Sequence, residues 1–364
     1  MPDRLPIHAP IAERIDRLFD LAKRHGEAFA GSEASLAREH YLAQHPTAVL
    51  VLKCMDGRIN LSVATQTPAG ILMPFRNLGG MFDLGWPHLG EVLHHQVMKM
   101  VHQGRRVLLL ITYHFSRGDP LRGCAGFQYD RAASMQHAWQ IQNQVERIFG
   151  TDHQTVYPVV CGFETDEDAL LIHGPRGADP LDIASLPDLD PVGLRARLAA
   201  LLPDMPLVMQ QDFLPLLEGN RAHVSKIREL NARQARALDI EHREWVICLG
   251  RGFDWLHTPN LALIIGPYSP DLAHPIQTAA GIIQSNMASG RIPDDGFLLL
   301  ASVPFEDVGA DRARAEVKAQ FLSSFAAQTI EKVRPELAKK MSVCTAVLDW
   351  RVRRLERLSL HASR

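Results

Sequence analysis

Cysteine is scarce in this sequence, and what there is lies scattered. The five residues, at 54, 124, 161, 248 and 344 of 364, form neither an even set nor a close-spaced framework. A disulfide scaffold is thereby excluded, and reduced thiols in a cytosol-like compartment are expected. No C-x-x-C occurs, which removes the dithiol redox motif. No apolar run approaches the roughly 20 residues that span a bilayer, and residues 1–8 are polar and proline-bearing, unlike a signal peptide. An excess of one charge is missing as well. The 39 basic and 41 acidic residues leave a net charge of −2, which argues against nucleic acid or an anionic membrane as a bulk electrostatic partner. The expectation is a soluble, cytoplasmic chain. With 46% apolar residues it can bury a proper core, and its length predicts two units of similar size.

What is present is an alternation of periods. Ile11, Ile15, Leu18, Phe19, Leu21 and Ala22 follow a 3.6-residue spacing, predicting a helical segment over 11–44 with Gly26 as a break. Apolar runs at 48–52, 71–75, 107–111 and 156–160 have the length and composition of buried parallel strands. Helical spacing returns at 87–103 and 129–149. This order predicts an α/β fold with an open, mostly parallel sheet flanked by helices. The order then recurs: strands at 245–249, 261–265, 297–301 and 343–348, helices at 276–290 and 312–333, preceded by a helical stretch over 191–239. Matching elements in the same order predict one unit, duplicated and diverged.

In parallel α/β sheets ligands gather beyond the carboxyl ends of the strands. The first strand ends in Cys54-Met55-Asp56-Gly57-Arg58, the second in Arg76-Asn77-Leu78-Gly79-Gly80. The third ends in Tyr113-His114, followed by a loop to Cys124. Two cysteines and a histidine converging on one crevice suit a tetrahedral zinc with an exchangeable fourth position. Adjacent helical histidines such as His94 and His95 face apart and read as packing or surface residues.

C-x-D-x-R, an R-N-x-G strand end and then a His/Cys pair, in this order, resemble the β-class carbonic anhydrases over residues 47–174. Nine residues separate His114 from Cys124 where that family has two. The longer gap and the degenerate second unit are similar to the carboxysomal shell branch, from which the architecture, and not a location, is carried over. The resemblance implies one zinc per chain on Cys54, His114 and Cys124, and reversible hydration of carbon dioxide to bicarbonate by a zinc-bound hydroxide. It implies an Asp56–Arg58 dyad, in which Arg58 orients Asp56 and Asp56 accepts a hydrogen bond from the hydroxide. Arg76, Asn77, Gly79 and Gly80 are expected to support the site, with Gln44 as a substrate-side residue. Arg117 and Arg122, in the inserted loop, read as solvated charges.

The implied division is a helical arm (1–45), a catalytic unit (46–182), a helical connector (183–240) and a degenerate second unit (241–364), together a pseudo-dimer. Aligning the halves sets Gly250 opposite Cys54, Gly252 opposite Asp56, Asp254 opposite Arg58 and Pro304 opposite His114, with Pro267 and Tyr268 near Arg76 and Asn77. Every ligand is lost, so the second unit reads as scaffold and partner surface. Carbonyl sulfide or carbon disulfide hydrolysis on the same scaffold, and a zinc-binding assembly protein whose catalysis has lapsed, remain open. A homo-oligomer is compatible with the sequence; a carboxysome or transporter partner is not legible in it.

Overall fold

The apolar runs at 48–52, 107–111 and 156–160 are buried along their length, as a strand covered on both faces must be. The computed structural model describes residues 7–186, 190–232, 241–251 and 260–358. Helices α1 (Ile11–Ala30) and α2 (Ser32–Gln44) lead into β1 (Ala48–Cys54), the short α3 (Leu61–Ala64) and β2 (Leu72–Asn77). Helix α4 (Pro87–His102), β3 (Val107–Phe115), α5 (Arg131–Phe149) and β4 (Val156–Glu164) follow, then β5 (Ala169–Ile172) and β6 (Leu181–Asp182). Local chemistry sets several of these starts. Pro87 opens α4 at a position that needs no N–H donor, and the Asp130 carboxylate caps α5 through the Ala133 N–H.

Helices α6 (Pro191–Leu201) and α7 (Leu207–Ala232) connect to the second half. There β7 (Val246–Leu249), β8 (Ala262–Ile265), α8 (Ala273–Ala288), β9 (Phe297–Phe305), α9 (Ala310–Val333), α10 (Pro335–Ala338), β10 (Met341–Asp349) and β11 (Arg354–Arg357) succeed one another. The first sheet runs β2-β1-β3-β4-β5-β6 and the second β11-β10-β9-β7-β8. β1 to β4 are parallel, as are β7 to β10, while β5, β6 and β11 add antiparallel edges. The order 2-1-3-4 thus recurs as 8-7-9-10. Among the described residues, no helix is long and apolar enough to cross a membrane.

The two sheets meet at β2 and β8. The Ile264 N–H donates to the Met55 carbonyl (2.9 Å), Gly266 N–H to Arg76 (2.9 Å) and Asn260 N–H to Gly57 (2.7 Å). One hydrophobic cluster runs through both halves, from Val49 and Val51 to Ile247, Leu263 and Leu299; a second lies under the other face of the first sheet.

Three local expectations change. The first helical segment breaks at Gly31, not Gly26. Gly26 is buried inside α1, where a Cβ would stand 2.8 Å from the Arg353 carbonyl oxygen, so its role is close approach. The connector is two helices, with residues 233–239 of the predicted stretch outside those described. The alignment of the halves also shifts by one. Leu52 pairs with Ile111 and Leu249 with Ala301. Setting His114 on Pro304 therefore sets Cys54 on Arg251, and Asn77 on Pro267. Gly252 and Asp254 lie outside the described residues.

Candidate metal centre

Cys54 is the last residue of β1 and His114 the penultimate residue of β3, its neighbour in the sheet. Cys124 opens the short helical turn Ala125–Phe127. The Cys54 and Cys124 sulfurs and a His114 nitrogen all lie within 4.8 Å of one another. All three residues are buried. Neither ring nitrogen of His114 has a hydrogen-bond partner, an uncommon state for a buried imidazole. Burial, then the neighbouring Cys124, pushes the Cys54 thiol well up. Cys124 is drawn down, chiefly by the hydrogen bond from Cys54 and then by the N–H groups of Gly126 and Phe127, against its burial. The two sulfurs and the imidazole thus face one another in a buried pocket. This donor set fits zinc with a fourth position open.

The loop after β1 holds the dyad. The Arg58 N–H and Nε donate to Asp56 Oδ1 (2.9 and 3.1 Å), and a terminal guanidinium nitrogen donates to Oδ2 (2.6 Å). Burial alone would raise the Asp56 pKa, but Arg58, then His242 and His114, hold it well below the usual carboxylate range. Arg76 clamps the loop from β2, donating to the carbonyls of Cys54 (3.2 Å), Asp56 (2.8 Å) and Ile59 (2.8 Å). Asn77 donates to the Met81 carbonyl (2.7 Å). Gly79 and Gly80 adopt φ of 64° and 65°. A Cβ on Gly126 would stand 2.8 Å from the Gly79 Cα, so the turn that carries Cys124 packs directly on this segment.

The nine-residue insertion between His114 and Cys124 is stapled to the β4–β5 turn. Asp166 accepts from Ser116 Oγ (2.9 Å) and from the N–H groups of Arg117 (3.0 Å) and Gly118 (2.7 Å). The loop charges are paired, Arg117 with Asp182 and Arg122 with Asp166. The Arg122 carbonyl accepts from Arg58 (3.0 Å). The long gap therefore folds back on itself and returns Cys124 to His114.

The second half reaches the same pocket through two residues that the sequence did not single out, His242 and Glu244. Glu244, fully buried, accepts from the Gly57 N–H (3.1 Å) and pairs with His242 Nδ1 (3.0 Å). The His242 Nε2 lies 3.8 Å from Asp56 Oδ2. A Cβ on Gly57 would meet the Ala262 carbonyl at 2.7 Å, so glycine here lets the halves close. The only linear hint was an acid and a histidine directly before the apolar strand β7. Gln44 is not brought in. It ends α2, at the amino end of β1, beside a groove that includes His45 and Asp212. The seven residues of β1 alone span roughly 23 Å.

No curated protein matches the chain. Residues 38–190, which include Cys54, His114, Cys124 and the dyad, match the model of the carboxysome shell carbonic anhydrase catalytic domain. This part of the chain resembles the carboxysomal shell branch of the carbonic anhydrases.

Proposed function

We propose that the chain is a zinc-dependent carbonic anhydrase of β-class type that interconverts carbon dioxide and bicarbonate. The observation that carries this reading is the convergence of Cys54, His114 and Cys124 beside a buried Asp56–Arg58 pair, within the matched segment. Those three side chains would hold one zinc per chain, which when bound acidifies water and so supplies the nucleophile. Asp56, kept ionised by Arg58, accepts a hydrogen bond from the attacking oxygen and turns a lone pair toward the carbon. Arg76 keeps the loop carbonyls in place. Each hydration releases a proton. His242, with 18% of its side chain exposed while Asp56 beside it is buried, offers the route from Asp56 outward, its ring oriented by Glu244. In this reading residues 46–182 form the catalytic unit. Residues 241–364 form a diverged second unit that closes it, with Arg251 standing where a thiolate would be needed.

Elemental analysis should find one zinc per chain. Stopped-flow carbon dioxide hydration should fall on the order of 1,000-fold or more in Cys54→Ala, with the zinc lost. Two zincs per chain, or activity that survives Cys54→Ala, would overturn the assignment. Parallel assays on carbonyl sulfide and carbon disulfide decide the substrate.

A further inference from the structure

Helix α9 lays one face on β9 and β10, burying Ala315, Ala319, Leu322 and Ala326. Its other face is exposed at Arg314, Val317, Phe321, Ser324, Gln328 and Glu331. These six positions follow one another at alternating steps of three and four, the repeat that keeps side chains on a single seam and lets two helices pair. Val317 is 67% exposed and Phe321 62%. The Phe321 ring stacks on that of Phe325, with centres 5.8 Å apart, which limits its freedom before any partner arrives.

The first half supplies a control. Helix α5 follows β3 as α9 follows β9, and buries Ser134, Ala138, Ile141 and Val145 at the same steps. Two residues beyond each of these stand Gln136, Gln140, Asn143 and Arg147, all exposed and all polar. The same offset on α9 gives Val317, Phe321, Ser324 and Gln328. A helix that meets only water has no use for the valine and the phenylalanine at the first two of these places.

We propose that α9 pairs antiparallel with α9 of a second copy of this chain, about a two-fold axis that passes between residues 322 and 323. Such pairing sets Arg314 on the partner's Glu331, Val317 on the partner's Gln328 and Phe321 on the partner's Ser324. The two-fold repeats all three pairs. The seam is thus complementary to its own reversal, with cation on carboxylate at both ends and large on small at the centre. A parallel pair would set like charges together at both ends, which is unfavourable. Antiparallel helices also oppose their dipoles. Arg314 is free to cross, since its present partner, Asp311 at 2.7 Å, is an exposed contact of little worth. The seam is roughly 26 Å long, and Ser324 and Gln328 keep it partly polar, so the association is reversible. Because β9 and β10 lie beyond β7 from β8, the strand that meets the first half, the pairing leaves the metal centre untouched. It holds whatever reaction that centre performs.

Sedimentation velocity on the full chain tests it. Between about 1 and 100 µM the native chain should pass from monomer toward dimer. Phe321→Glu should weaken the association about 30-fold or more. Arg314→Glu and Glu331→Arg should each weaken it about fivefold, and the double variant Arg314→Glu/Glu331→Arg should recover native association, because exchanging the charges rebuilds both end pairs. All four variants replace exposed side chains, so their melting temperatures at monomeric concentration should stay close to native. A native chain that remains monomeric throughout would give the stripe to a different protein and overturn the proposal. So would a Phe321→Glu chain that associates as tightly as native, or a double variant no tighter than the single ones.

Discussion

Asp56-Gly57-Arg58 in the first half and Asp349-Trp350-Arg351 in the second make the same local turn. In each, the arginine N–H donates to its aspartate Oδ1, at 2.9 and 3.1 Å, and the guanidinium returns to the same carboxylate. Their surroundings differ. The Arg58 side chain is 2% exposed, whereas that of Arg351 is 56% exposed. The first pair lies under Glu244, His242 and the inserted loop; in the second the carboxylate is equally buried, and only its arginine stands out at the rim of a hairpin. The strand ends differ in the same sense, since the register sets Arg251 where the first half has Cys54. Local sequence thus makes the turn twice, and only enclosure together with the right donors makes a site of it.

That contrast can be broken by mutation. The largest effect is expected from Asp56→Ala, which leaves Arg58 buried without its carboxylate. It should lose about 3–5 kcal/mol in denaturant unfolding as well as most hydration activity, while Asp349→Ala should leave the unfolding midpoint nearly unchanged. Equal losses in the two would show that enclosure does not separate them. The acid limb sharpens the point. Asp56 in the folded chain sits below the ordinary carboxylate range, so its ionised form adds stability above about pH 4 that disappears as the pH falls further. The gap between native chain and Asp56→Asn should narrow on acidification.

A smaller effect belongs to Glu164, which holds the base of the inserted loop through the N–H groups of Arg117, Asp166 and Glu167. Burial, with Asp166 beside it, raises its pKa to about 7. The folded chain therefore keeps this proton after the unfolded chain has released it. Stability should decline as the pH rises from about 4.5 to about 7, and Glu164→Gln should flatten that slope in unfolding curves measured across the window. The smallest effect is expected of Gln44→Ala. With β1 between it and Cys54, carbon dioxide hydration should stay within about twofold of the native rate; a large loss would bring the amino end of the sheet into the reaction.

Much of this molecule was legible before any coordinates. The runs at 48–52 and 107–111 became β1 and β3 because an apolar run of that length has few other stable uses. The ends were less legible: β3 continues to Phe115 through Thr112 and His114, and β4 to Glu164, past the polar residues that end the apolar runs. Of the candidate site, the nearness of Cys54, Asp56, Arg58 and Arg76 to one another was readable because they lie within a few residues of two adjacent strand ends. Gln44 lies at the other end of β1 from Cys54, since nearness in sequence says nothing about which end of a strand a residue occupies.

By itself the sequence determined which donors exist and which strand ends carry them, because hydrophobic period and motif spacing act over a few residues. Only the tertiary structure decided which donors meet. It returned Cys124 across a nine-residue loop by way of Asp166, and it carried His242 and Glu244 to Asp56 from the other half of the chain. It also put Arg251 in register with Cys54. These outcomes depend on close approach at Gly57 and Gly126 and on buried pairs between distant segments, contacts that no local pattern records.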